Sequence, residues 1–178
     1  MLHENTSSAK KLVLSAMFLG LGLVLPFLTG QIPQLGSMLL PMHLPVLLCG
    51  LIVGGPWGAA VGFICPLLRS ALFTMPPMYP VAVSMAFELA AYGFFSGYLY
   101  KHIKFKGISG IYVSLISAML LGRIVWGLTR WAMMASGTEF SIPMFITGGF
   151  TGAIPGIVLQ LVLIPVILIS LKKAKLIE

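Results

Sequence analysis

Three arginines and one glutamate sit inside long apolar runs of this chain: Arg69, Glu88, Arg123 and Arg130. An ionised side chain at the centre of a bilayer costs at least about 2.5–3.5 kcal/mol, so such residues face a bundle interior or a wet cavity. One carboxylate cannot neutralise two or three guanidiniums. The surplus is positive and calls for an anion, and arginine's planar fork suits a carboxylate or a phosphate. Arg123, Trp126, Gly127 and Arg130 recur at i, i+3, i+4 and i+7, which is one face of a helix. That face is a charged and aromatic stripe with a gap in its middle, suited to walling a small ligand. His43 and Tyr79 are further candidates for the same layer.

Each of these residues also has a structural reading. Arg69 and Glu88 fit an ion pair between two helices. Arg130 fits a side chain that snorkels to the headgroups. Tyr79 and Trp131 fit interfacial anchors, and His43 fits a hydrogen-bonded residue at a helix end. Arg123 is the hardest to explain in this way, because it lies too deep to snorkel cheaply.

The elements that carry these residues follow from composition. Of 178 residues, 58% are hydrophobic and 8% charged, whereas a soluble domain carries about 25% charged residues. So little charge cannot cover a water-facing surface, so lipid is the solvent, and the length fits one membrane-embedded domain over residues 1–178. The apolar runs predict six transmembrane helices: Leu12 to Leu28, Leu39 to Val53, Trp57 to Thr74 with a kink at Pro66, Val81 to Tyr100, Ile108 to Ala135 and Pro143 to Leu171. Thr29 to Met38 reads as a loop too polar for the bilayer core, and Met75 to Pro80 as a Pro-rich loop. Lys10 and Lys11 precede an apolar run with no small-x-small cleavage site, so the first helix reads as retained.

The net charge of +7 is topological rather than a nucleic-acid footprint. With both termini cytoplasmic, the inside segments hold Lys10, Lys11, Lys101, Lys104, Lys106, Lys172, Lys173 and Lys175. The outside loops then hold no Lys or Arg, and Glu139 is their formal charge. One assignment thus satisfies the positive-inside rule for every lysine. At roughly 1.5 Å per residue, Arg69 and Arg130 lie about 8 Å deep and Glu88 about 10 Å, one layer in the outer half. Arg123 is expected two turns further in.

Other chemistry is absent from the sequence. Cys49 and Cys65 read as small core residues, and two isolated cysteines do not make a zinc site. No cofactor motif is present, and no G-x-x-x-x-G-K-[ST] phosphate loop, so ATP hydrolysis is not expected of this chain. Small residues four apart form close-packing seams: Ala16 with Gly20, Gly58 with Gly62, Gly93 with Gly97, and Gly148 with Gly152 and Gly156.

Nearly the whole chain resembles a family, the substrate-binding S components of energy-coupling factor (ECF) vitamin transporters. The resemblance rests on three segments besides the six-helix length and the basic ends. They are the opening Lys11-Leu-Val-Leu-Ser-Ala-Met-Phe-Leu-Gly20, the stretch from Leu40 to Gly58, and the Pro-rich loop before the fourth helix. It implies a bacterial or archaeal cell-membrane protein that is not an enzyme. Its partners would be a vitamin, a transmembrane coupling subunit and two ATPases. Family members dock the coupling subunit through two alanines four apart on the first helix; here the first is Ala16 and the second position is Gly20. The resemblance also implies a vitamin site on the outer side, under the segments Thr29 to Met38 and Met75 to Pro80, and delivery by toppling in the membrane. A positive pocket favours an anion such as pantothenate; folate, pyridoxine-type compounds and queuosine precursors stay open. Two other classes compete. A self-sufficient secondary transporter or channel would be expected to show an inverted repeat, which is not evident. An intramembrane enzyme would need a nucleophile with a base or a metal cluster.

Overall fold

The computed structural model describes residues 6–29, 32–104, 107–137 and 141–177. Lys106 and Glu139 of the topology argument, and Gly30 and Gln31 of the first loop, lie outside them. Every described element is helical. Eight helices run in order: α1 (Ser8–Val24), α2 (Pro33–Leu39), α3 (His43–Val53), α4 (Gly55–Phe73), α5 (Val83–His102), α6 (Ile108–Met133), α7 (Ile142–Gly149) and α8 (Ile154–Lys173). Together with short turns they make six spans long and apolar enough to cross a membrane: Ser8–Thr29, Gln34–Val53, Gly55–Phe73, Met78–His102, Ile108–Met133 and Ile142–Lys173.

Local sequence explains the boundaries. The Ser7 hydroxyl accepts from the Lys10 amide and caps α1. Gly54, at φ 125°, turns α3 back into α4, whose first turn carries Pro56. Pro66 lies inside α4. Between α4 and α5, Met78–Ala82 forms a kinked turn in which Tyr79 is extended.

Two expectations are corrected. The segment from Thr29 to Met38 is not all loop, because Pro33 opens the short helix α2 there. Leu40 then adopts a left-handed conformation (φ 50°, ψ 49°), which breaks the second span before α3 begins at His43. The sixth span is also broken. Its sequence reads as one helix from Pro143 to Leu171, yet α7 ends at Gly149, a single 3-10 turn covers Thr151–Ala153, and α8 begins at Ile154. Gly148, Gly152 and Gly156 therefore do not share one helical face.

The core lies where α3, α4, α5 and α6 meet. Among its fully buried side chains are Leu47, Leu51, Leu89 and Leu115. Close approach there depends on glycine. A Cβ on Gly58 would lie 2.7 Å from the Gly50 Cα, and one on Gly93 would fall onto the Gly58 carbonyl. These seams are internal packing. Gly20 on α1 differs: a Cβ there meets nothing within 4 Å, and Ala16 one turn away is exposed.

Helix direction alternates, and contacts fix which ends share a side. Cys49 pairs with Ser15, Gly55 approaches Phe94 and Tyr98, and Lys172 lies over the Tyr100 ring at 5.7 Å. Lys10, Lys11, Lys101, Lys172 and Lys173 thus belong to one end of the bundle. At the opposite end sit the close of α1, the starts of α5 and α8, and the close of α4 and α6.

Candidate functional site

α3 has only 11 residues, about 16 Å of rise, so it reaches little more than halfway across a 30 Å core. Its first residue, His43, is therefore delivered to the middle of the bundle. Glu88 comes down α5 to the same level, and Arg123 comes up α6. Glu88 Oε1 accepts from Arg123 Nη1 at 2.6 Å and lies 3.6 Å from His43 Nε2. All three are nearly inaccessible.

This arrangement corrects the expected layering. The span carrying Glu88 begins at Met78, not Val81, and α6 ends at Met133, not Ala135. Glu88 and Arg123 each stand ten residues from those ends, roughly 15 Å deep in both cases. They are level, and Arg123 is the partner of the carboxylate.

Arg69 is not in this cluster. Its guanidinium donates to the Leu23 carbonyl and lies over the rings of Phe27 (4.8 Å) and Phe73 (5.3 Å). Leu23 is in the last turn of α1, where carbonyls lack helical partners and the helix dipole is negative. Arg69 so ties the end of α1 to α4, and the ion pair with Glu88 is not formed.

The arginines of α6 are incompletely satisfied. Arg123 keeps Nε and Nη2 buried without a hydrogen-bond partner, and Arg130 keeps Nε and Nη1 in the same state. Both ring nitrogens of His43 are likewise unpartnered. A buried polar group left in this way costs about 1–3 kcal/mol, more if charged. By formal count, one carboxylate, Glu88, stands against two α6 guanidiniums, Arg123 beside it and Arg130 two turns further along the helix.

Trp126 lies between the two arginines on α6, as its spacing predicts, and stacks on Phe145 of α7 (5.8 Å, 21°). Tyr79 is separate. It is half-exposed and lines an open groove of about 490 Å³ with Val83, Phe87, Leu128, Thr129, Ala132 and Met133, on the outer face of α5 and α6. None of the charged residues lines that groove.

Sequence reasoning missed three participants. Tyr92 packs against both His43 (5.2 Å) and Arg123 (6.0 Å); it is one turn from Glu88, a spacing that could have found it. Gln160 is buried in α8, and its amide lies 3.4 Å from the Leu40 carbonyl that also accepts from the His43 amide. A lone amide in an apolar run was its signal. Phe145 carried none.

Compared with known protein families, residues 10–171 match the model described as the ECF transporter, substrate-specific component. No curated protein and no solved structure matches the chain.

Proposed function

The chain belongs to the family of ECF transporter substrate-specific components, and on that premise we propose that it captures a small anionic vitamin at the Glu88–Arg123–Arg130 cluster. Such components are multi-pass membrane binding proteins, not enzymes. The observation that carries the substrate reading is the set of buried, unpartnered guanidinium nitrogens on Arg123 and Arg130. A single carboxylate would balance the excess charge. The His43 ring, both of whose nitrogens lack a partner, suits a hydroxyl or amide on the same molecule. Pantothenate has this chemistry: one carboxylate, two hydroxyls and an amide.

In this reading the lysine-bearing end is cytoplasmic and the cluster is loaded from the outside. Ala16 and Gly20 form the docking face for the transmembrane coupling subunit. Two ATPases supply the energy, and toppling of the loaded chain carries the vitamin inward. Support for the docking face is its emptiness: Ala16 is exposed and Gly20 has open space beside it.

The test is Arg130→Ala in the purified chain. First, native mass spectrometry identifies any co-purified small molecule; pantothenate is the probe for calorimetry. Loss of one charge-assisted bond, worth roughly 1.5–3 kcal/mol, predicts about ten- to a hundredfold weaker binding. Arg130→Lys should recover part of it, because lysine keeps the charge and lacks the fork. Undiminished affinity in Arg130→Ala would remove this residue from the site.

A further inference from the structure

The unpartnered nitrogens of His43, Arg123 and Arg130 are closed off from solvent, so a ligand reaches them only if some element moves. The sixth span contains an element that crossing the membrane does not require. α8 alone has 20 residues, about 30 Å of rise, which already matches the hydrocarbon thickness. α7 adds eight more residues. It is exposed at every position except Phe145 and Gly149.

The seam that holds α7 is flat rings against bare backbone. Phe145 stacks on Trp126 and covers Gly127, where a Cβ would strike its ring. In return, a Cβ on Gly149 would lie 3.6 Å from the Trp126 ring and 3.8 Å from Arg123 Cδ. α7 therefore lies across the α6 face that carries the site. Its connection to α8 is a built-in break. Phe150 leaves the helical region (φ −125°, ψ −68°), Thr151–Ala153 make one 3-10 turn, and Pro155 occupies the first turn of α8 without an amide hydrogen to give. Discontinuous spanning helices commonly border the substrate sites of transporters, so this break lies where a ligand would pass.

We infer that α7 is the gate of the anion site, swinging about Phe150–Ala153, with the Phe145–Trp126 stack as its latch. Opening lifts Gly149 from Arg123 and gives an incoming carboxylate access to the free guanidinium nitrogens. The inference rests on the site reading given above, and its test separates the two.

The experiment is hydrogen–deuterium exchange on the full chain in lipid nanodiscs without ligand. A gate opens locally, so the α7 amides should exchange together, roughly tenfold or more faster than those of Ile157–Leu171 in α8. Phe145→Ala removes an aromatic pair worth roughly two- to tenfold in an equilibrium, and should speed α7 exchange by that factor while leaving α8 unchanged. Equal protection of α7 and α8, or a Phe145→Ala effect spread through α8, overturns the gate. With pantothenate as probe, Phe145→Ala should raise association and dissociation rates together. An effect on dissociation alone makes Phe145 a ligand contact and also overturns the gate. If pantothenate fails to bind while the ligand-free pattern holds, the gate stands and the substrate reading falls.

Discussion

Glu88 is shared: its Oε1 takes a hydrogen bond from Arg123 at 2.6 Å and stands 3.6 Å from His43 Nε2. The carboxylate thus fixes one end of the Arg123 guanidinium and leaves its Nε and Nη2 free. It orients a donor rather than consuming it. The binding reading and the stability of the bundle therefore meet at a single pair.

The first prediction concerns that pair. Breaking a buried ion pair from one side strands the other charge and costs about 3–5 kcal/mol. Glu88→Ala and Arg123→Ala should each lower the melting temperature sharply. Replacing both with Leu and Met should restore most of the stability, since neither partner of the pair is left stranded, yet abolish binding. Thermal melts of the three variants in detergent check this. A double variant as unstable as either single one would mean that the pair is not the unit.

Arg69 should behave differently. It holds the end of α1 through the Leu23 carbonyl and two phenylalanines. Arg69→Ala should cost roughly 1.5–3 kcal/mol of stability, the range for a hydrogen bond to a charged group. Affinity for ligand should change little. Adding Glu88→Gln should not rescue stability, because the two residues are not partners, and a double-mutant cycle should show additivity. Rescue by Glu88→Gln would mean a direct interaction between them.

Much of this was legible in the sequence. The scarcity of charge and the spacing of apolar runs gave six spans, and the i, i+3, i+7 pattern put Arg123, Trp126 and Arg130 on one face. The partner of Glu88 was not legible, because pairing depends on depth. Depth depends on where a span begins. An error of three residues at Met78 and of two at Met133, roughly 4.5 Å and 3 Å, displaced two groups that touch. The break at Phe150–Ala153 was hidden for another reason: glycines four apart read as a continuous seam, and Pro155 is tolerated in a first helical turn. Gln34 and Ser37 disguised α2 as a loop. The structure turns that short polar helix into a cap whose carbonyls at Met38 and Leu39 lie against Gly156.

Orientation gives the third prediction. All described lysine-bearing segments share one end of the bundle, and the positive-inside rule assigns that end to the cytoplasm. With Cys49 and Cys65 replaced, single cysteines at Ser109 and Ser136 should label from opposite sides of intact cells. Ser109 should need a permeant reagent, and Ser136 should react with an impermeant one. Labelling of both from the same side would break the six-span topology.

The last prediction contrasts two glycines that the sequence presents alike. Gly93 is locked in the core, where an added methyl would collide with the backbone carbonyl of Gly58. Backbone cannot yield as a flexible side chain does. Gly93→Ala should therefore cost about 1–3 kcal/mol or more through overpacking, and stability, folding yield and binding should all decline. A Cβ on Gly20 would meet nothing within 4 Å, so a side chain leaves the backbone there into open space. Gly20→Leu should leave the melting temperature and ligand affinity of the isolated chain near those of the parent. In the membrane, however, it would place a bulky side chain on the Ala16–Gly20 face, where close helix approach needs small residues. Co-purification with the coupling subunit and ATP-driven uptake should then fall together. The decisive comparison is ligand binding against assembly for the same variant. If Gly20→Leu assembles and transports normally, the coupling subunit docks on some other face, and the exposed stripe of α1 is simply lipid-facing.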